Sequence, residues 1–261
     1  MAALHSYFDG SYTGRKWTEG GFVTLAGFAA DDSMWAEFDV NWKRILADNR
    51  NRPSAAYLHM KEAAHLEGEF SIRNGWNLKK VSFLINDLLM YLGSMDKLRF
   101  HEFACTIDLS AQAKIENEGI ELEDPITRCN RLCPEAVLQW YFVKYPDKVI
   151  HSAYFFFDRD EPFEEPFRKK WSSEIDTKLD RNFVPHDIIW SIIKSVTSAI
   201  TREQPALQAA DLLAWASNRA AGPKDRSFGH VELLLKGIVG NTWSYWGEPE
   251  LRTGRMNLPK F

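Results

Sequence analysis

The ten residues VIHSAYFFFD (149–158) decide the fold. They are almost wholly apolar, which predicts an interior strand covered on both faces, as in sheets that carry helices on each side. The strand ends on a carboxylate, Asp158. Working outward, LHSYFDG (4–10) alternates Leu4, Ser6 and Phe8 against His5, Tyr7 and Asp9, and so reads as a strand that carries Asp9 near its end. GGFVTLAGFAA (20–30) is a second strand, and the Gly-rich polar link between the two suits a hairpin. RFHEFACTIDLS (99–110) turns Phe103, Cys105 and Ile107 one way and closes on Asp108. AAYLHMKE (55–62) is a short extended piece, read as a further strand, and HDIIWSIIKSVTS (186–198) is strand-like.

Helical periods alternate with these strands. DDSMWAEFDVNWKRILADN (31–49) puts Trp35, Phe38, Trp42 and Ile45 on one stripe, with Asp or Ser available as N-cap. Leu78, Val81, Ile85, Leu88 and Leu92 make a second stripe. Further helices are expected from near Pro134, over 163–180, over 204–222 and, short and apolar, around 230–239. The class is therefore α/β. No repeat, low-complexity tract or linker divides the chain, which predicts one domain with a core over 4–222 and a C-terminal extension over 223–261.

The chain has 261 residues, a formal charge of −4 and ten Trp. Its apolar content is ample for a core and excludes disorder as a reading. So weak a net charge predicts no general polyanion-binding surface. Three cysteines, an odd number, suit a reducing compartment better than a disulfide framework. No apolar run approaches the ~20 residues that span a bilayer, and Asp9 interrupts any N-terminal apolar segment. These features predict a soluble, cytoplasmic protein with no membrane partner.

The helix QPALQAADLLAWASNRAAG (204–222) poses the chemical question. Asp211 shares a face with Leu207, Ala210, Ala214 and Trp215, and burying an unpaired carboxylate costs several kcal/mol, on the order of a full desolvation penalty. Gln208 lies one turn before it. Three strands end in Asp (Asp9, Asp108, Asp158), and functional groups of open α/β sheets collect beyond strand ends. Carboxylates that close to one another repel unless a cation neutralises them, and Mg²⁺ or Mn²⁺ prefers such oxygen ligands. Each acid also has a plainer role. Asp9 starts an Asp-Gly turn, Asp108 caps the next segment, and Asp158 heads a solvated acidic loop.

YLHMKEAAHLEGE (57–69) spaces His59, Glu62 and His65 three apart. The trio lacks the H-E-x-x-H spacing of metalloproteases, so Glu62 reads better as an extra acid beside the Asp cluster than as part of a zinc site. No P-loop, strand-linked G-x-G-x-x-G or G-x-S-x-G elbow is present.

SYFDGS, GGFVTLAGFAA, YFFFDRDE and PALQAADLLAWASNR, in that order, resemble domain of unknown function family 3800. The resemblance covers roughly residues 4 to 222 and implies a ribonuclease H-like fold, a mixed sheet of about five strands with flanking helices and helical insertions. It implies a divalent-metal-dependent nuclease or phosphodiesterase, a hydrolase using metal-activated water. By position, Asp9 matches the first-strand acid, Gln208 and Asp211 the late Q-x-x-D motif, and Asp158 the acid of a later strand. Asp108 is placed only by chain order. Asp9, Asp108, Asp158, Asp211 and Glu62 are thus the expected ligands of Mg²⁺ or Mn²⁺, and Gln208 would orient a water or a carboxylate. The family commonly carries Asp-Glu at the first motif, whereas Gly10 follows Asp9 here, so the second acid is lost or comes from elsewhere, Glu62 being the candidate. The alternative is a catalytically inactive module of the same fold that binds nucleic acid or a protein partner, in a setting such as defence or mobile elements.

Overall fold

A computed structural model describes residues 3–13, 20–97, 99–144, 152–159, 161–174, 193–222 and 243–254. The predicted hairpin is formed by β1 (Ala3–Tyr12) and β2 (Phe22–Asp31), antiparallel with Asp9 opposite Ala26. β3 (Phe100–Asp108) continues antiparallel on β2, while β4 (Ser152–Asp158) lies parallel to the other edge of β1 and β5 (Ile193–Ala199) parallel to β4. A sixth strand, β6 (Trp243–Trp246), adds parallel to β3, giving the order β5-β4-β1-β2-β3-β6. This four-residue strand lies in the C-terminal extension, where the sequence gives too short an alternation to announce it.

The α-helices among the described residues are α1 (Asp32–Ala47), α2 (Met60–His65), α3 (Leu78–Ser94), α4 (Leu109–Asn117), α5 (Pro125–Lys144), α6 (Glu164–Glu174), α7 (Pro205–Ala221) and α8 (Glu248–Thr253). The Asp31 carboxylate caps α1 by accepting from the Met34 amide, and Asn77 does the same for α3 through Lys80. AAYLHMKE is not a strand: the chain turns at His59 into α2, and the Leu58 and Met60 amides donate to the side chains of Gln208 and Asp211 rather than to a neighbouring strand. Nor does α5 begin at Pro134. It begins at Pro125 and carries Pro134 inside, because the stripe Cys129, Cys133, Val137, Tyr141 buries continuously across the missing N–H. The helix expected around 230–239, the end of the helix expected over 163–180 and the first part of the strand expected over 186–198 fall outside the described residues.

Two cores flank the sheet. On one face Leu4, Phe8, Leu25 and Phe155 pack with α5 and α6. On the other, Ala26, Phe28 and Phe100 meet α7, α1 and α3. Every residue of α7 from Pro205 to Asn218 is buried, because α1 and the segment before α3 cover the side turned away from the sheet. The alanines at 206, 209, 210, 214 and 216 allow that close approach. β4 is less symmetric than its sequence suggests. Ala153, Phe155 and Phe157 are buried, whereas Tyr154 and Phe156 are only half-buried, Tyr154 meeting His5 edge-on and Phe156 stacking on Tyr7. All three cysteines are buried and free, and no described helix is long and apolar enough to cross a membrane.

Candidate functional site

Alternation along β1 sends Leu4 and Phe8 to the α5 face, and therefore Tyr7 and Asp9 to the α7 face. On β4, Phe155 and Phe157 point to the α5 face, so Asp158 points with Asp9. Phe8 pairs with Phe157, and the next residue on each strand is the acid. Asp9 and Asp158 thus stand level on neighbouring strands, which run about 4.8 Å apart. Helix α7 crosses this face and delivers Asp211. A backbone turn, with the Glu161 amide donating to the Asp158 carbonyl, folds Glu161 back to the same place. Asp9, Asp158, Glu161 and Asp211 line one cleft of about 390 Å³, together with His59, Lys61, His65 and Arg219.

The electrostatics follow from that crowding. Asp9 is only 5% exposed. Burial first, then the charges of Asp211, Glu161 and Asp158, push its carboxyl well above the usual range, against one hydrogen bond from the Gly10 amide. Burial likewise pushes Asp211 up to about 6, with Asp158 and Glu62 adding to it and the Met60 amide, 2.7 Å away, opposing it. One oxygen of each Asp is fixed: Asp9 by Gly10, Asp211 by Met60, and Asp158 by the amide and hydroxyl of Thr201. The second oxygen of each accepts no hydrogen bond among the described residues. Such a set of carboxylate oxygens suits a hard divalent cation in donor chemistry, and a proton on Asp9 or Asp211 is the alternative way to hold the charge down. Among the described residues, no three His, Cys, Asp or Glu side chains already converge at coordinating distance.

The position after Asp9 has a steric explanation. A Cβ on Gly10 would come 2.5 Å from the Phe163 ring and 2.6 Å from Glu161 Oε2. The room that a second acid would need on β1 is filled by Glu161, whose carboxylate also accepts the Tyr12 hydroxyl. Burial and then the Glu161 charge drive the Tyr12 phenol far above its ordinary value, which keeps it a donor. Sequence reading treats Glu161 only as part of an acidic loop. The available signal was its place three residues past a strand-ending Asp.

Three expected site residues lie elsewhere. Through the register, Asp9 is level with Ala26 and Ala104, so Asp108 sits four residues farther along β3. Its carboxylate caps α4 through the Ser110 and Ala111 amides and accepts from the Tyr245 hydroxyl. Asp108→Ala is therefore expected to cost about 1 kcal/mol of stability in denaturant unfolding, as for a lost N-cap, and to leave any Mn²⁺-induced thermal shift in place. Gln208 is buried and does not line the cleft. Its Oε1 accepts from Trp42 Nε1 at 2.9 Å and the Leu58 amide at 3.0 Å, and its Nε2 donates to the Arg202 carbonyl. Glu62 is held by the Tyr57 hydroxyl, the Glu69 amide, Arg202 and His59, with both oxygens engaged. The His59–Glu62–His65 trio does not assemble, since His65 Nδ1 bonds the Lys61 carbonyl instead.

Comparison with protein-family models, with curated proteins and with solved structures adds no relative. None matches the chain. The resemblance drawn from the four motifs therefore stands on those motifs, and the chemistry of the cleft on its own geometry.

Proposed function

We propose that this chain is a divalent-metal-dependent hydrolase of phosphate esters, built on a ribonuclease H-like core, with Asp9, Asp158 and Asp211 as the metal-holding residues and Glu161 as their fourth acid. The observation that carries the reading is Asp9: a buried carboxyl with three further carboxylates around it, each strand or helix acid anchored by one oxygen only. Strands β1–β5 with flanking helices support the ribonuclease H-like assignment, since the acids come from two neighbouring strands, Asp9 within β1 and Asp158 at the end of β4, and from one crossing helix. Bound there, a Mg²⁺ or Mn²⁺ ion supplies Lewis acidity to a phosphoryl oxygen and eases the deprotonation of water. The chain's own part is to hold the carboxylates at fixed register, to keep Tyr12 as a donor on Glu161, and to exclude bulk solvent from Asp9 and Asp211.

A second reading keeps the fold without the chemistry, as a module that binds nucleic acid or a protein partner. It is favoured by the lack of a converged three-ligand group among the described residues. Thermal unfolding with added Mn²⁺ separates the two. A ligand of the folded state at 100 times its dissociation constant stabilises by about 2.7 kcal/mol, so the hydrolase is expected to shift its midpoint by several degrees. It should also release nitrophenolate from bis(4-nitrophenyl) phosphate only with the metal present. An unchanged midpoint and no release select the binding module.

A further inference from the structure

Phosphodiester hydrolysis needs more than a cation. An alkoxide or phenoxide leaving oxygen departs slowly unless it gains a proton, and the carboxylates that hold metal are unprotonated and occupied. The cleft contains another group with the geometry for that task. His59 lines it beside Asp9, Asp158 and Asp211, with its side chain 34% exposed and so open to a substrate. Its Nδ1 lies 3.3 Å from Glu62 Oε1. A ring that donates Nδ1–H to a carboxylate keeps Nε2 as the nitrogen that exchanges its proton with anything in the cleft.

Glu62 is buried behind His59 and does not itself line the cleft. It accepts from the Tyr57 hydroxyl at 2.9 Å, from the Glu69 amide at 3.1 Å and from the Arg202 guanidinium, which in turn lies over the Tyr57 ring. Gly68 packs so close that a Cβ there would meet the Glu62 carboxylate at 2.1 Å. The backbone is pinned on the other side, because the amide of Met60, next to His59, donates to Asp211. The one segment is thereby tied to the acid cluster through Met60 and to the Glu62 network through His59. A histidine placed only for packing would need neither.

We propose that His59 is the general acid of the cleft and that Glu62 is the residue that positions it, an inference that rests on the hydrolase reading. In the step, a water oxygen forms the new bond to phosphorus and releases one proton to solvent. The bond between phosphorus and the leaving oxygen breaks, and that oxygen keeps the bonding pair and takes the proton from His59 Nε2. The neutral imidazole then regains a proton from solvent, so the products are one phosphomonoester and one alcohol or phenol.

The test compares two diesters of similar shape in the presence of Mn²⁺, bis(4-nitrophenyl) phosphate and diphenyl phosphate. Nitrophenolate leaves with little help from an acid, whereas phenolate needs it. General acid catalysis is worth about 10²–10⁴-fold, so His59→Ala and His59→Gln are both expected to lose at least about ten-fold more rate on the diphenyl ester than on the nitrophenyl ester. Both variants should keep the Mn²⁺-induced thermal shift, which shows that they fold and hold metal. Glu62→Gln should show the same imbalance in smaller degree. Equal losses on the two esters, no loss on the diphenyl ester, or a vanished Mn²⁺ shift in both His59 variants would overturn the assignment while the hydrolase reading survives. A wild-type protein that cleaves neither ester overturns both.

Discussion

Asp9→Asn is expected to abolish metal-dependent cleavage and, in the same protein freed of metal by chelation, to raise its stability. The two effects have one cause. At neutral pH the metal-free fold must either hold an ionised Asp9 among three other carboxylates or take up a proton to avoid doing so. Asparagine keeps an oxygen for the Gly10 amide and carries no charge, so it relieves the burial and repulsion that raise the Asp9 carboxyl, and the urea midpoint of the metal-free protein is expected to rise. The loss of activity follows because the neutral amide no longer attracts a divalent ion. The pH dependence has a definite sign. Asp9 and Asp211 are both raised in the folded state, so between about pH 4, where an unfolded Asp titrates, and their folded values the native chain holds more protons than the unfolded one. Stability of the metal-free protein therefore falls as pH rises through about 6 for Asp211, and the raised Asp9 carboxyl adds to the decline. Urea unfolding in a chelator at several pH values between 4 and 8 should show that decline, and Asp9→Asn should flatten it. A variant that unfolds more easily than wild type at pH 8 would mean that Asp9 is a structural acceptor and not a strained acid.

What could be read from the sequence, and what could not, divides along a physical line. The alternation around Asp9, the apolar run that ends on Asp158 and the near-3.6 periods of α1, α3 and the buried helix with Asp211 are all local patterns, and each forms where its pattern lies. Chain order even puts Asp9, Asp158 and Asp211 on one list. Asp108 belongs on that list by the same local logic, since it too ends a strand. Its exclusion depends on register: β3 runs four residues past the level of Asp9, a shift that no single strand's sequence records. Glu161 is missed, and His59 is weighed only as part of a zinc trio, for a related reason. Their places are set by a turn and by a segment that meets α7 from far away in sequence. Gln208 is misread because a Q-x-x-D spacing puts both side chains on neighbouring turns of a helix but does not say which layer each one faces. Since α7 is buried on all sides, Gln208 faces α1 while Asp211 faces the cleft.

That division makes Gln208→Leu the sharpest structural test, because the amide is expected to matter for stability rather than for chemistry. Its Oε1 accepts from two donors that have no water to fall back on: the indole of Trp42, which is fully buried, and the amide of Leu58. Leucine fills similar volume but accepts nothing. Each buried donor left unpaired costs about 1–3 kcal/mol, so with two of them the variant should lose about 2–6 kcal/mol in urea unfolding. Trp42→Phe removes one of those donors along with part of the indole, and the double variant should then cost less than the sum of the two singles, the mark of groups that share a bond. The consequence reaches the cleft, because Leu58 immediately precedes His59 and Met60. With its anchor to α7 gone, the segment is held by the Met60–Asp211 bond and the Glu62 network alone. Gln208→Leu is therefore expected to keep its Mn²⁺ response at temperatures where it is folded, yet to show faster amide hydrogen exchange at residues 58–60 than wild type. If stability were unchanged while cleavage disappeared, Gln208 would belong to the chemistry after all, and the layer assignment of α7 would have to be redrawn.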